Sequence, residues 1–94
     1  MADAHANELA IPPDLMADGE ARELVRIWDS DGSQYFLIDV EGVEDPAAWG
    51  FWALDLMKHA ARAYEAHNGQ PRQEVYKRIL SGFMVEMQNP TEPL

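Results

Sequence analysis

The sequence predicts an α+β fold in which a β-hairpin is followed by two antiparallel helices (ββαα), with a short N-terminal helical turn. Three observations support this prediction. Two apolar segments with alternating polarity flank an Asp31-Gly32 pair, which is a strong hairpin signal. Two later segments have the apolar spacing of amphipathic helices. Only Gly69 and Gln70 separate these segments, and so short a connection favours antiparallel packing.

The limits of the folded part follow from length and patterning. Ninety-four residues suffice for a single domain, which we expect over residues 11–89. Residues 1–10 show no apolar period and are predicted to be a flexible N-terminal tail, and residues 90–94 a C-terminal tail. After Pro12, the chain is expected to make one helical turn that stops before Gly19.

The hairpin is predicted over residues 23–40, with Asp31-Gly32 as a two-residue type I′ loop. In this register Trp28 pairs with Tyr35, and side chains alternate between two faces. One face is apolar and is expected to pack against the helices; it carries Val25, Ile27, Phe36, Ile38 and Val40. The other face is mixed and half-exposed; it carries Leu24, Arg26, Trp28, Tyr35, Leu37 and Asp39.

The first long helix is expected to start at Asp45-Pro46 and to end near residue 67 or 68. Asp45 is a good N-cap, and Pro46 suits the first helical position, where a missing N–H costs nothing. Gly69 is expected to end the helix in the left-handed conformation. On a helical wheel, one stripe collects Trp49, Trp52, Ala53, Leu56, Ala60, Ala63, Tyr64 and His67.

The second helix is expected to start near Pro71 or Arg72 and to end near Gln88, because Asn89-Pro90 cannot continue it. Its predicted apolar stripe consists of Val75, Tyr76, Ile79, Leu80, Phe83 and Met87.

The net charge of −10 is distributed unevenly along the chain. Residues 1–45 contain twelve acidic residues and two arginines, whereas residues 46–94 contain five acidic and five basic residues. An acidic surface repels phosphate backbones and anionic lipids, so neither nucleic acid nor a membrane is an expected partner. The acidic first half is either a solubilising surface or a docking face for a basic partner.

Cysteine is absent, which excludes disulfides and fits a reducing compartment. The longest apolar run, Trp49 to Leu54, is far shorter than a membrane span. Residues 1–10 also lack the apolar core of a signal peptide. We therefore expect a cytoplasmic protein.

Candidate catalytic and metal-binding groups are sparse. Asp55 and His59 are four residues apart and share one face of the first long helix. Such a pair could orient a general base or supply half of a metal site, but its spacing is more typical of a solvated helix flank. No pattern of further ligands accompanies the pair. We therefore predict no catalytic residue, no metal site and no cofactor.

Two surfaces are candidates for contacts with other chains. Arg26, Trp28 and Tyr35 share the mixed hairpin face, where they form either a local cation–π contact or a partner site. At the start of the first long helix, apolar side chains cover most of the circumference: Trp49, Gly50, Phe51, Trp52 and Leu54. A helix that is apolar all round is normally buried all round. This pattern predicts a homodimer; the alternative is that Leu9 to Met16 folds back over Phe51 and Leu54.

Four segments within about residues 9–91 form a recognisable combination. They are Glu23-Leu24-Val25-Arg26-Ile27-Trp28, Asp45-Pro46-Ala47-Ala48-Trp49-Gly50, Gly82-Phe83 and Asn89-Pro90. This combination resembles a small bacterial family of uncharacterised domains, classed as a domain of unknown function. The resemblance implies a bacterial cytoplasmic protein and assigns no catalytic or binding residue.

These observations favour a non-enzymatic protein–protein interaction module that self-associates and can meet a further protein partner. The alternative is a small-ligand binding domain or a minor enzyme with a pocket between hairpin and helices. That pocket would be lined by Trp28, Tyr35, Asp55 or His59.

Overall fold

The computed structural model describes residues 4–94. Its elements, in chain order, are α1 (Pro13–Ala17), β1 (Val25–Ser30), β2 (Ser33–Ile38), α2 (Ala47–Asn68) and α3 (Arg72–Gln88). The predicted ββαα layout with a short N-terminal helical turn is therefore confirmed. Among the described residues, no helix combines the length and apolar character needed to cross a membrane.

The chain divides into two compact units, one ending at Gly42 and the other beginning at Val43. The first contains α1 and the hairpin, and the second contains α2 and α3. That residues 11–89 act as a single domain stays a prediction. The same holds for the two tails, and residues 1–3 of the N-terminal tail lie outside the described part.

The hairpin has the predicted register. β1 and β2 are antiparallel, with Trp28 opposite Tyr35 and Val25 opposite Ile38. Asp31 and Gly32 have φ values of 52° and 79°. Positive φ at both central positions is what a type I′ turn requires, and its twist matches that of the strands. The turn therefore fixes which side chains share a face.

The apolar face of the hairpin is not buried as expected. Its five side chains are Val25, Ile27, Phe36, Ile38 and Val40, and each is between 42% and 66% exposed. The sheet has only two strands among the described residues. Alternation places the apolar side chains on one face, but burial of that face requires another element to pack against it.

The end of α2 is set by the residue that the sequence indicated, whereas its start lies one residue later than predicted, with Pro46 as the N-cap and Ala47 as the first helical residue. Pro46 has helical angles (φ −57°, ψ −19°), and the Asp45 carboxylate accepts a hydrogen bond from the Ala47 N–H at 3.0 Å. At the other end, Gly69 has φ 78° and ψ 4° and donates its N–H to the Glu65 carbonyl at 2.9 Å. The left-handed conformation at Gly69 ends the helix as predicted.

Helices α2 and α3 pack around Ala61, which is 3% exposed and is the buried apolar residue among those described. Four residues of the predicted α3 stripe are half-buried: Val75, Tyr76, Ile79 and Leu80. Phe83 and Met87, the remaining two, are exposed. A small side chain at residue 61 allows the two helix backbones to approach closely.

The predicted α2 stripe faces α3 only in part: Tyr64 lines a cavity together with residues of α3, and Ala60 is half-buried. Leu56 and Tyr64 belong to that stripe and are exposed. The buried Ala61 and the half-buried Met57 lie on a different line of the helix. The helical wheel identifies the most hydrophobic side of α2. The residue of α2 that is buried against α3 is the small Ala61, which lies on a different side.

Candidate functional site

We define the helix-start surface as Trp49, Gly50, Phe51, Trp52 and Leu54, the residues that sequence analysis selected as an interface. All five lie in α2, just after the Asp45-Pro46 start. The rings of Trp49 and Trp52 meet edge to face, with centroids 5.1 Å apart and planes at 81°. This geometry is favourable for aromatic pairs and holds both indoles in place.

Much of the helix-start surface is open to solvent. Phe51 is 72% exposed, Trp52 is 37% exposed, and Leu54 is also exposed. A Cβ atom built at Gly50 would meet no atom within 4 Å. Gly50 is therefore not required by packing within the chain, and its bare backbone is accessible to another molecule.

The part of the helix-start surface formed by Trp49 and Trp52 continues along the side of α2 that lies away from α3, whereas Gly50 and Leu54 lie within about 20° of Ala61 around the helix. At 100° per residue, Leu56 lies about 140° around the helix from Ala61. Leu56 is 57% exposed, whereas Ala61 is buried against α3. Leu56 belongs to the predicted apolar stripe but not to the predicted interface. Because Leu56 is exposed in the folded helix pair, we add it to the candidate interface.

The second candidate face, on the hairpin, is partly covered. The guanidinium of Arg26 makes two hydrogen bonds with the Glu23 carboxylate, at 2.8 and 3.0 Å, and lies 3.9 Å from the Glu8 carboxylate. These interactions, with the Glu23 hydrogen bond as the largest, raise the pKa of Arg26. The ring of Trp28 meets the ring of His5 edge-on at 5.1 Å. Arg26 and Trp28 are therefore half-buried, whereas Tyr35 is exposed.

Asp55 and His59, the alternative catalytic pair, lie one turn apart on exposed positions of α2. Residues 4–94 contain no group of three or more His, Cys, Asp or Glu side chains placed to hold a metal ion. The predicted pocket lined by Trp28, Tyr35, Asp55 or His59 stays a prediction.

One charged contact ties α2 to α3. The Glu65 carboxylate accepts hydrogen bonds from the Arg72 backbone N–H at 3.0 Å and from its Nε at 2.8 Å, and Nη2 lies 2.7 Å away. These hydrogen bonds hold the pKa of the Glu65 carboxyl below its ordinary value. The Glu65 carboxylate therefore accepts a hydrogen bond from a backbone N–H in the first turn of α3 that has no partner within the helix, as a capping side chain would.

A groove between α2 and α3 gathers basic side chains that sequence analysis did not single out. It has a volume of about 280 Å³ and is lined by Lys58, Ala61, Arg62, Arg72, Gln73, Tyr76 and Lys77. In sequence these residues fall into two groups, one on each helix, and each group alone resembles a solvated helix flank. The antiparallel packing of α2 and α3 brings them together.

Two of three comparisons relate the chain to other proteins. A family model described as a domain of unknown function (DUF5076) matches residues 8–91. A comparison with curated proteins gave no match. Among solved structures, the chain is similar to one described as a "putative pyruvate dehydrogenase from the photosynthetic bacterium Rhodopseudomonas palustrus". The two chains share 28% identity with a TM-score of 0.71, over 98% of this chain and 94% of the other.

Proposed function

Since the chain belongs to the DUF5076 family of domains of unknown function, we propose that it is a non-enzymatic interaction module that forms a homodimer through the helix-start surface. The observation that carries this proposal is the exposure of Trp52, Phe51 and Leu56 on α2, while Ala61 alone is buried among the described apolar residues. Trp52 and Leu56 lie one turn apart on one face of α2, and Phe51 lies about 100° around the helix from Trp52. Exposed aromatic and aliphatic side chains are typical of an interface.

Exposed apolar side chains on α2 support a further layer of protein. Phe51 is 72% exposed, Leu56 is 57% exposed and Leu54 is 41% exposed. A stable interface buries roughly 800 Å² on each partner. A dimer would place these side chains in contact, whereas a monomer leaves them in water.

The shape of the helix-start surface supports a contact between two helices. Gly50 has no side chain, so the backbone of a second helix can approach closely there. Trp49 and Trp52, whose rings contact each other, lie about 100° and 160° around the helix from Gly50. A two-fold axis near Gly50 would place the same residues on both sides, which is the arrangement of an isologous dimer.

The test is the molar mass of the purified chain across a range of micromolar concentrations, for the wild type and two variants. Phe51→Lys introduces a charge into the proposed contact, and we expect it to weaken dimerisation at least about tenfold. Phe36→Lys is the matched control, because Phe36 is similarly exposed but lies on the hairpin. We expect Phe36→Lys to remain dimeric.

The outcomes separate the proposal from its rivals. A Phe36→Lys variant that becomes monomeric while Phe51→Lys stays dimeric would move the contact to the hairpin. A wild-type chain that is monomeric throughout would remove self-association altogether. Circular dichroism of both variants distinguishes loss of dimer from loss of fold, since both substitutions lie at exposed positions.

The face formed by Arg26, Trp28 and Tyr35 is our proposed second contact surface, for a different protein partner. The exposure of Tyr35 supports it, because an exposed Tyr beside a half-buried Trp is typical of an interface rim. Self-association is not expected to use this face, so Tyr35→Ala should leave the molar mass unchanged. A monomeric Tyr35→Ala variant would contradict this division of roles.

The Rhodopseudomonas structure carries a name that refers to pyruvate oxidation. Because we propose a non-enzymatic module, we expect that this chain does not oxidise pyruvate. Purified protein supplied with pyruvate, thiamine diphosphate, NAD as electron acceptor and coenzyme A as acetyl acceptor should consume no pyruvate above the background without protein. Turnover that depends on the chain, and that is retained by the Phe51→Lys variant, would overturn the non-enzymatic assignment.

A further inference from the structure

A cationic groove lies between α2 and α3, in a chain that is otherwise strongly acidic. Its lining includes four of the seven Lys and Arg residues of the chain, namely Lys58, Arg62, Arg72 and Lys77. Glu65, the carboxylate that pairs with Arg72, is not among the lining residues. Four of the seven basic residues therefore line one groove of a chain whose net charge is −10.

Most of this positive charge is not neutralised within the described residues. The Arg72 guanidinium pairs with Glu65 at 2.7 Å. For Lys58, Arg62 and Lys77, no carboxylate among residues 4–94 lies within 4.0 Å. Lys58 and Arg62 are also four residues apart on one helix, an arrangement of like charges that destabilises a helix slightly. A bound anion would offset the repulsion between Lys58 and Arg62.

The floor of the groove is suited to an organic ligand. The methyl group of Ala61 is buried, and the Tyr76 ring beside it is half-buried. The Gln73 amide supplies donors and an acceptor at the rim. Arg72 and Gln73 are the first two residues of α3, where the Glu65 carboxylate already accepts the Arg72 backbone N–H.

We propose that this groove binds a small organic anion with at least two negative groups, either carboxylates or phosphates. Cations on two facing helices can contact separate acidic groups, while Ala61 and Tyr76 contact the carbon skeleton between them. A volume of about 280 Å³ fits a compact metabolite, and it lies just below the usual range of roughly 300–1,000 Å³ for ligand pockets. The proposal is independent of self-association, because the groove residues differ from those of the helix-start surface.

The test is a titration of the full chain with citrate and, in parallel, with inorganic phosphate, followed by calorimetry and by NMR of backbone amides. We expect saturable binding of citrate at one site per chain, with amide shifts centred on residues 58–62 and 72–77. Saturable binding of phosphate with weak or no binding of citrate would also support the groove and would assign it to phosphate compounds. Glycerol, a neutral control, should cause no shifts.

Variants of single cations separate a defined site from general charge. Arg62→Gln and Lys77→Gln should each weaken binding about tenfold, as expected for the loss of one charge-assisted hydrogen bond. Arg78→Gln is the matched control: it removes the same charge from the adjacent α3 residue, which does not line the groove. We expect it to bind within about twofold of the wild type.

Two results would overturn the proposal. One is the absence of saturable binding for both anions. The other is an equal loss of affinity in Arg78→Gln, which would indicate diffuse electrostatic attraction with no specific site. The substituted side chains are exposed, so we expect the melting temperature of each variant to stay near that of the wild type.

Discussion

Trp52 and Ala61 lie on opposite sides of α2. They are nine residues apart, which corresponds to about 180° around a helix. Ala61 is 3% exposed and lies against α3, whereas Trp52 is 37% exposed on the far side. Helix α2 therefore has two apolar sides, and α3 covers one of them. The self-association that we propose would cover the other at Trp52, and near the start of α2 it would also contact Gly50 and Leu54, which lie within about 20° of the Ala61 line.

Adjacent residues of α2 should respond differently to substitution. Met57 is half-buried and lies next to the line of Ala61, so Met57→Ala should lower the free energy of unfolding by about 1–2 kcal/mol. Leu56 is 57% exposed, so Leu56→Ala should weaken the dimer while changing the stability of the separated chain by less than about 0.5 kcal/mol. Denaturant unfolding, repeated in a Phe51→Lys background, measures the two effects separately. A reversed ranking in that background would mean that we have assigned the wrong side of α2 to α3.

Gly50 tests the proposed close approach of two helices. Alanine is a better helix former than glycine by about 1 kcal/mol, and no atom within 4 Å would obstruct its Cβ. In the Phe51→Lys background, Gly50→Ala should therefore raise the melting temperature. In the wild-type background, it should weaken dimerisation by obstructing the contact.

Gly82 in α3 provides the matched control for Gly50. It too has open space around the Cβ position, and it lies outside the helix-start surface. Gly82→Ala should raise the melting temperature in both backgrounds and leave dimerisation unchanged. If Gly50→Ala behaves in the same way as Gly82→Ala, Gly50 has no role in assembly.

The type I′ turn gives a prediction for the hairpin. Gly32 has φ 79°, a conformation that costs an L-residue about 1–2 kcal/mol. Gly32→Ala should therefore reduce the protection of the β1 and β2 amides against hydrogen exchange. Gly19→Ala serves as the control, because Gly19 has open space around its Cβ position and no left-handed φ. Equal protection in both variants would contradict a turn that depends on positive φ.

The contact between Glu65 and Arg72 gives a prediction about pH. The hydrogen bonds from Arg72 lower the pKa of the Glu65 carboxyl, so the folded chain holds that proton less tightly than the unfolded chain. The resulting stabilisation is present above the ordinary pKa of about 4.3 and disappears as the pH falls through the lowered value. The melting temperature of Glu65→Gln should therefore depend less steeply on pH below about 4.

Arg72→Gln should flatten the same part of the pH profile in part, because it removes the guanidinium donors that contribute most to the lowered Glu65 pKa and leaves the backbone N–H of residue 72 as a donor. The hydrogen bond between Arg22 and the Asp39 carboxyl lowers the pKa of that group as well, so a residual slope should remain in both variants. An Arg72→Gln profile as steep as that of the wild type would contradict this account of the contact.

The sequence was sufficient for the features that depend on local backbone preferences. Asp31-Gly32 determines the turn, and the turn determines the register of both strands. Pro46 and Gly69 lie at the two ends of α2 because each restricts or permits φ at its own position. These predictions needed no knowledge of distant contacts.

The faces and the groove could not be predicted in the same way, because they depend on which helix sides meet. The wheel for α2 favoured the side with Trp52 and Leu56, since hydrophobicity was the criterion. Contact with α3 instead uses Ala61, whose small side chain contributes little to that criterion. The cationic groove likewise requires the antiparallel register that places Arg62 near Lys77.

The central claim is that the chain forms a homodimer through the start of α2. Sedimentation velocity or light scattering of the purified wild-type chain at micromolar concentrations tests it most directly. We predict a molar mass of about 21 kDa, twice the 10.6 kDa of one chain, that falls toward the monomer value in Phe51→Lys. A single species of 10.6 kDa at every concentration of the wild-type chain would contradict the claim.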